Sequence, residues 1–84
     1  MDSIRKALTR SDECIREQSG AGVADSLYRM LDNDLHRMAL ELLLTNLIRD
    51  RCPVTKETYD LLREAGTSMN VGGDYWEELE PLVE

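Results

Sequence analysis

His36 is the only histidine of the chain, and Cys14 and Cys52 are its only cysteines. A single imidazole cannot form a two-histidine metal site. Serine or cysteine nucleophile chemistry needs a base beside the nucleophile, and no nucleophile stands in a context that marks it as activated. Cys52 precedes Pro53 at the end of a helical pattern, which gives it no feature of a lowered-pKa thiolate. The two cysteines are far apart in sequence, with no second cysteine near either, so they read neither as a metal-ligand pair nor as a disulfide scaffold. One bridge between them is open; the expectation is two reduced, buried thiols packed as small hydrophobes. The carboxylates do not fall into a calcium-loop pattern, since no Asp-rich loop carries glycine at its sixth position and glutamate at its twelfth. Gly20 and Gly22 lack a following Lys-Ser/Thr, and Gly72-Gly73 leads into acids that repel phosphate. His36 is therefore expected at a helix surface or core edge, and the chain is expected to have no catalytic residues, metal or cofactor and not to be an enzyme.

Charge is more informative. Residues 1–56 carry nine acids and nine bases, whereas residues 57–84 carry eight acids and Arg63 alone, so the whole net charge of −7 lies in the last third. Nucleic acid and anionic membrane are poor partners for such a surface, because both are bound by cations that neutralise phosphate. A basic protein partner fits it. The alternative is that surplus acids only maintain solubility. No apolar run reaches the roughly 18 residues of a membrane span, and Met1–Arg10 lacks the apolar stretch of a signal peptide. The expected location is the cytoplasm.

The elements that must carry these charges are helical. With 84 residues the chain reads as one domain, 1–84, with a small core. There is no phenylalanine, Val54-Thr55 is the only β-branched pair, and no segment alternates cleanly. The fold class is all-α, a small bundle of four to five helices around a central hydrophobic helix, 35–49. The first helix is expected over Ser3 to Gln18, capped by Asp2 or Ser3, with Ile4, Ala7, Leu8, Ser11 and Ile15 as its buried stripe. Ser19-Gly20-Ala21-Gly22 breaks it. A second helix, Val23 to Leu31, buries Val23, Leu27, Met30 and Leu31. Asp32-Asn33-Asp34 then offers side chains to cap the third. On that third helix Leu35, Met38, Ala39, Leu42, Leu43 and Leu47 form a wide apolar face. Leu40, Leu44 and Ile48 lie on the other side, beside a narrow polar strip at Arg37, Glu41 and Thr45. A helix apolar nearly all round is central to a bundle or covered by a partner. Pro53 ends it. Thr55 caps a fourth helix, with Val54 and Tyr59 as a staple, and Asn70 is suited to its left-handed C-cap. Asp74 with Glu77 forms a capping box for a last helix, Tyr75 to about Glu80, whose Trp76 is expected in the core and whose length Pro81 limits.

Two resemblances bear on function. Asp25-Ser26-Leu27 is similar to the Asp-Ser-Leu of acyl carrier proteins, in which the serine opens a helix and bears a phosphopantetheine arm. Too few residues precede Ser26 for that family's first helix and loop, and Tyr28-Arg29-Met30 replaces its acidic, valine-rich continuation. Broader is the likeness of Asp34 to Leu82 to the MafI family of immunity proteins from bacterial polymorphic-toxin loci. It rests on Ala39-Leu40-Glu41 with Leu43 and Leu47, then Val54-Thr55 with Glu57, Tyr59 and Leu62. Met69, Val71, Tyr75-Trp76 and Leu79 complete it in the same order and spacing. The chain departs from the family at Asn33-Asp34, where Gly-Glu is common. The resemblance implies a short helical protein that neutralises a cognate toxin domain by binding it in the cytoplasm. A basic, nuclease-like toxin would suit the acidic surface. The expected contact residues are Glu57, Asp60, Leu61 and Glu64 on the fourth helix and Asp74, Tyr75, Glu77 and Glu78 on the fifth. The exposed side of the third helix, around Arg37, Glu41 and Leu44, is the fallback interface. The protein is expected as a monomer or weak homo-oligomer. A small acidic adaptor or anti-activator is the other reading of the same features.

Overall fold

A computed structural model describes residues 2–84. Its elements are α1 (Asp2–Gln18), α2 (Ala21–Asp32), α3 (His36–Arg49), α4 (Lys56–Met69) and α5 (Asp74–Leu79), followed by a 3-10 turn at Glu80–Leu82. The all-α class and the five helices agree with the pattern of the sequence.

The helix ends show which local signals prevail. Asp2 and Ser3 already lie within α1, so neither precedes the helix as its expected cap. Gly20 alone breaks α1 from α2, at φ 100°, and Ala21 and Gly22 continue as helix. The Asp32-Asn33-Asp34 turn closes α2 instead of capping α3. Asn33 Nδ2 donates back to Arg29 O at 2.8 Å, and Leu35 holds the cap position of α3 with no side-chain bond. Thr55 behaves as expected, its Oγ1 accepting from Thr58 N at 3.1 Å. Asn70 takes the left-handed conformation, φ 58° and ψ 37°. Val71 N donates to Gly66 O at 2.8 Å and Asn70 N to Thr67 O at 3.4 Å, the two bonds of a Schellman ending. At α5 the expected capping box is absent. Gly73, at φ 79°, is the cap residue without a side-chain bond, and Asp74 is the first residue of the helix. Asp74 and Glu77 still occupy the first turn, where the helix dipole favours negative charge.

α1 packs between α2 and α4, and α3 touches each of the other four helices. The α1 stripe Ile4, Ala7, Leu8, Ser11 and Ile15 is buried as its spacing predicts. α3 is central but rotated from the expected orientation. It buries Ala39, Leu40, Leu43, Leu44 and Leu47, while Leu35 and Met38 are 45% and 56% exposed. Leu44, expected outside, is wholly inside, so the fallback interface retains only Arg37 and Glu41. A helix with apolar residues on nearly every side leaves its inward direction to tertiary packing, and here the rows Leu40–Leu44–Leu47 and Ala39–Leu43 win.

The cysteines are corrected as well. Cys14 of α1 and Cys52 of the α3–α4 connection form a disulfide across 38 positions, with Cα atoms 6.2 Å apart, in place of two free thiols. The cause is topological. Cys14 lies one turn after Arg10, and Arg10 reaches Glu57 of α4 at 2.7 Å. Arg51, at φ 51°, turns the chain after α3, and Cys52 N donates to Leu47 O at 3.0 Å. Nothing in the spacing of the two cysteines encodes that meeting. The same connection receives the C-terminus through a parallel bridge between Val54 and Val83. Val54 N donates to Leu82 O at 3.0 Å, and Glu84 N to Val54 O at 2.8 Å.

Trp76 is in the core, as expected. Its Nε1 donates to Val71 O at 3.1 Å, Tyr59 meets it edge-on at 6.4 Å between ring centroids, and the Arg63 guanidinium lies 5.0 Å from its ring centroid. Gly66 admits this packing. A Cβ there would overlap Trp76 Cζ2 and stand 2.9 Å from Cη2. In an open helix interior alanine would gain about 1 kcal/mol over glycine. At this position crowding of a hydrogen-bonded indole reverses the sign, and Gly66→Ala is expected to destabilise by about 1–3 kcal/mol, read as a lower urea midpoint with unchanged slope. The disulfide closes a long loop, worth roughly 2–4 kcal/mol through the unfolded state. Reductant, or Cys14→Ala with Cys52→Ala, is expected to lower unfolding free energy by about that amount while far-ultraviolet dichroism at 25 °C stays helical.

Candidate functional site

The eight residues expected to meet a partner fall into three kinds. Glu57 is a strut, because Arg10 Nη2 and Nη1 donate to its two carboxylate oxygens at 2.7 and 3.2 Å. It ties α4 to α1 and is not a free charge. Leu61 and Tyr75 are half-buried and pack against the core, offering only part of their surface. Asp60 and Glu64 on α4, and Asp74, Glu77 and Glu78 on α5, are exposed. None of these five has an ion-pair partner among the described residues. The α4 pair and the α5 group are joined through the Tyr59–Trp76 contact, with Arg63 held over the indole. The one base of the last third is therefore used on an aromatic face. On α5, Gly72, Asp74, Tyr75 and Glu78 line a shallow hollow of about 320 Å³, and Glu78 also borders a second beside Ile48, Arg51, Pro81 and Leu82.

A further surface was not identified from the sequence. α2 and α3 leave an open groove made of two adjoining hollows of about 510 and 220 Å³ that share Ser26 and Met30. Val23, Ser26 and Met30 form one wall, and Leu42, Asn46 and Arg49 the other. Leu35 and Arg29 border its far end. Val23 and Met30 are thus only half-buried, at the edge of the core in which they were expected. The signal in the sequence was the surplus of apolar residues around α3, more than one buried face can use. Ser26 is the sixth residue of α2 and lines this groove, a placement unlike a carrier serine that opens its helix.

A polar cluster closes the near end of the groove. The Ser19 hydroxyl donates to the Asp50 carboxylate and accepts from Arg49 Nη2 at 3.0 Å. Arg49 Nη2 also donates to Asn46 Oδ1 at 2.6 Å, and Asn46 Nδ2 to Leu42 O at 2.7 Å. The Ser19 hydroxyl first, and the Arg49 guanidinium second, hold the Asp50 carboxyl below its ordinary value. These groups staple α3 to the α1–α2 connection.

The remaining chemical candidates stand apart. His36 is half-buried, its Nε2 3.5 Å from Asp34 Oδ1. Both sulfurs are engaged in the disulfide. Among the described residues no cluster of three His, Cys, Asp or Glu side chains could hold a metal ion. Among the described residues no helix is long and apolar enough to cross a membrane.

The depressed Asp50 carboxyl has a consequence for stability. A carboxyl whose folded value is lowered stabilises the fold above its ordinary value, 3.8 here, and loses that contribution as pH falls through the folded value. Ser19→Ala is expected to raise the Asp50 midpoint in a carbon-detected titration. It should also lower stability at pH 7, the deficit shrinking on acidification below the ordinary carboxylate range.

No family model, curated protein or solved structure matches this chain.

Proposed function

We propose that the chain is a binding protein of the immunity type, which neutralises a cognate bacterial toxin domain by covering its surface. The observation that carries the reading is electrostatic. Of the eight acids in residues 57–84, seven have no ion-pair partner among the described residues. In residues 1–56 acids and bases balance and several pair with each other, as in Arg5–Asp32 at 2.7 Å and Arg16 with Asp12 and Asp25 at 2.8 and 3.1 Å. An uncompensated negative field on one part of a small domain attracts a basic partner and speeds encounter. Nuclease toxins are basic because they must hold phosphate backbones. Affinity then needs a few desolvated anchors, and Tyr75, half-buried beside the Asp74–Glu78 hollow, is suited to that role. The similarity of residues 34–82 to MafI-type immunity proteins supports the toxin-directed form of this reading. The acids of α4 and α5 act by occupying the cleft in which the toxin would hold its substrate, so no bond is made or broken by this chain.

Such a protein works in the cytoplasm of the cell that makes it. The Cys14–Cys52 disulfide favours a second reading of the location, an oxidising compartment in which the same acidic surface serves an adaptor, since thiols in the cytosol are kept reduced. Alkylation of protein from rapidly quenched native cells separates the two readings: free thiols at Cys14 and Cys52 support the cytoplasm, and a protected pair supports the adaptor.

Co-expression with the toxin domain encoded beside it is expected to give a stable complex and to restore growth. Asp60→Lys with Glu64→Lys should weaken that complex tenfold or more, mainly through a slower association rate, and flatten its salt dependence. Unchanged affinity in a folded double variant, or a failure to rescue growth, would remove the acidic surface from the mechanism.

A further inference from the structure

We infer that the groove between α2 and α3 is a second docking site, and that its occupant is an acidic amphipathic helix of a partner protein. This inference is independent of the toxin-binding reading, because the groove shares no lining residue with the acidic surface.

The shape comes from two packed helices. Val23, Ser26 and Met30 recur at three- and four-residue spacing along one side of α2, and Leu42, Asn46 and Arg49 do so along the facing side of α3. Met38, 56% exposed, stands one turn before Leu42 on the same side of α3, just beyond the lining of the two hollows. From Met38 to Arg49 the wall spans roughly 16 Å, about three helical turns. A trough between two helices accepts the ridge of a third, and aliphatic side chains at i, i+4 and i+7 would reach Met30 with Met38, then Leu42, then Val23 in turn. Two of those four are methionines, which adapt their shape to the side chain presented.

Charge selects the occupant. The only charged residues lining the two hollows are Arg29 and Arg49, at opposite ends. Arg29 has no ion-pair partner among the described residues, whereas Arg49 leans on Asp50 at 3.3 Å. Covering an unpaired guanidinium with an apolar or basic surface leaves a desolvated charge. A carboxylate at the end of the incoming helix that meets Arg29 satisfies it with a charge-assisted bond. A second copy of this chain fits poorly. Two grooves face to face would oppose arginine to arginine. Of the acidic helices that another copy could offer, α5 has only six residues with Trp76 and Leu79 already buried, and α4 has its Leu62 and Ala65 buried in its own core and only half-buried Leu61 beside Asp60 and Glu64.

The test uses two synthetic helical peptides of four turns with leucine at i, i+4 and i+7. One carries glutamate on both flanks, the other lysine at the same positions. Each is titrated into isotope-labelled full-length protein and followed by amide shifts and fluorescence anisotropy. The glutamate peptide is expected to move Val23, Met30, Met38 and Leu42, and the lysine peptide to leave them in place. Met38→Glu alters an exposed side chain, so the fold should persist, and it is expected to cut affinity for the glutamate peptide at least tenfold. Arg29→Glu should do the same and improve binding of the lysine peptide. Three results would overturn the inference: equal binding of both peptides in the groove, shifts confined to other surfaces, or a Met38→Glu variant that is folded and binds as before. Groove resonances that move on dilution of the protein alone would assign the site to a second copy, and would overturn it too.

Discussion

α3 carries more apolar surface than its neighbours can cover, and the arrangement of the rest follows from which part of it they choose. α1, α2, α4 and α5 all rest on α3, and their contact settles on Ala39, Leu40, Leu43, Leu44 and Leu47. At 100° per residue that choice sends Met38, Leu42 and Thr45 outward. Leu42 stays half-covered because α2 stands beside it, and Met38 does not. Large aliphatic side chains removed from water contribute about 1.5–3 kcal/mol each, so the four leucines buried on the inward face outweigh the cost of two apolar side chains on the outside. The groove is thus a by-product of satisfying the core.

Charge is distributed by a similar logic. In the first two-thirds of the chain acids and bases are equal in number, and some of them pair between helices: α1 with α2 through Arg5–Asp32 and Arg16–Asp25, and α1 with α4 through Arg10–Glu57. Exposed pairs of this kind contribute little to stability, of order 0–1 kcal/mol each. Their larger consequence is to neutralise the α1 side of the molecule. On α4 and α5 the acids outnumber Lys56 and Arg63, neither of which pairs with an acid among the described residues, so the excess negative charge is left uncompensated.

Much of this was legible in the sequence where a local rule had no competitor. The α1 stripe, the Thr55 cap, the left-handed Asn70 and the burial of Trp76 each follow from a residue whose type admits one role at that position. The misreadings occur where one residue could serve two neighbours. Asn33 could close α2 or open α3, and its amide turned back to Arg29 O. Asp74 could cap α5 or begin it, and the backbone freedom of Gly73 decided in favour of the second. The inward face of α3 was undetermined for a different reason, since a helix apolar on most sides has no preferred orientation until others pack on it. The Cys14–Cys52 bond and the Val54–Val83 bridge join segments distant in sequence and have no local signature. Of the expected contact residues, five acids are exposed without an ion-pair partner among the described residues, while Glu57 was drawn into an ion pair whose other half, Arg10, lies on a helix that carries no net signal of its own.

The ties on α4 bear on how the acidic surface can work. Arg10–Glu57, the Cys14–Cys52 bond and the Val54–Val83 bridge all fasten the start of α4 to α1 and to the C-terminal segment. At its other end Gly66 and Val71 seat Trp76. α4 is thus held at both ends, and the acids it displays, Asp60 and Glu64, sit on a rigid rod between the fixed points. A partner that meets them does not have to order the backbone, so less of its interaction energy is lost on binding. The α2–α3 groove is likewise held at both ends, by the Ser19–Asp50 and Arg49–Asn46 bonds at one and by the Asp32–Leu35 turn, with Leu35 N donating to Met30 O, at the other. The two surfaces therefore differ in charge and in side-chain type: one presents carboxylates from a fixed backbone, and the other lines a fixed trough with methionines that can adjust to the helix that enters it.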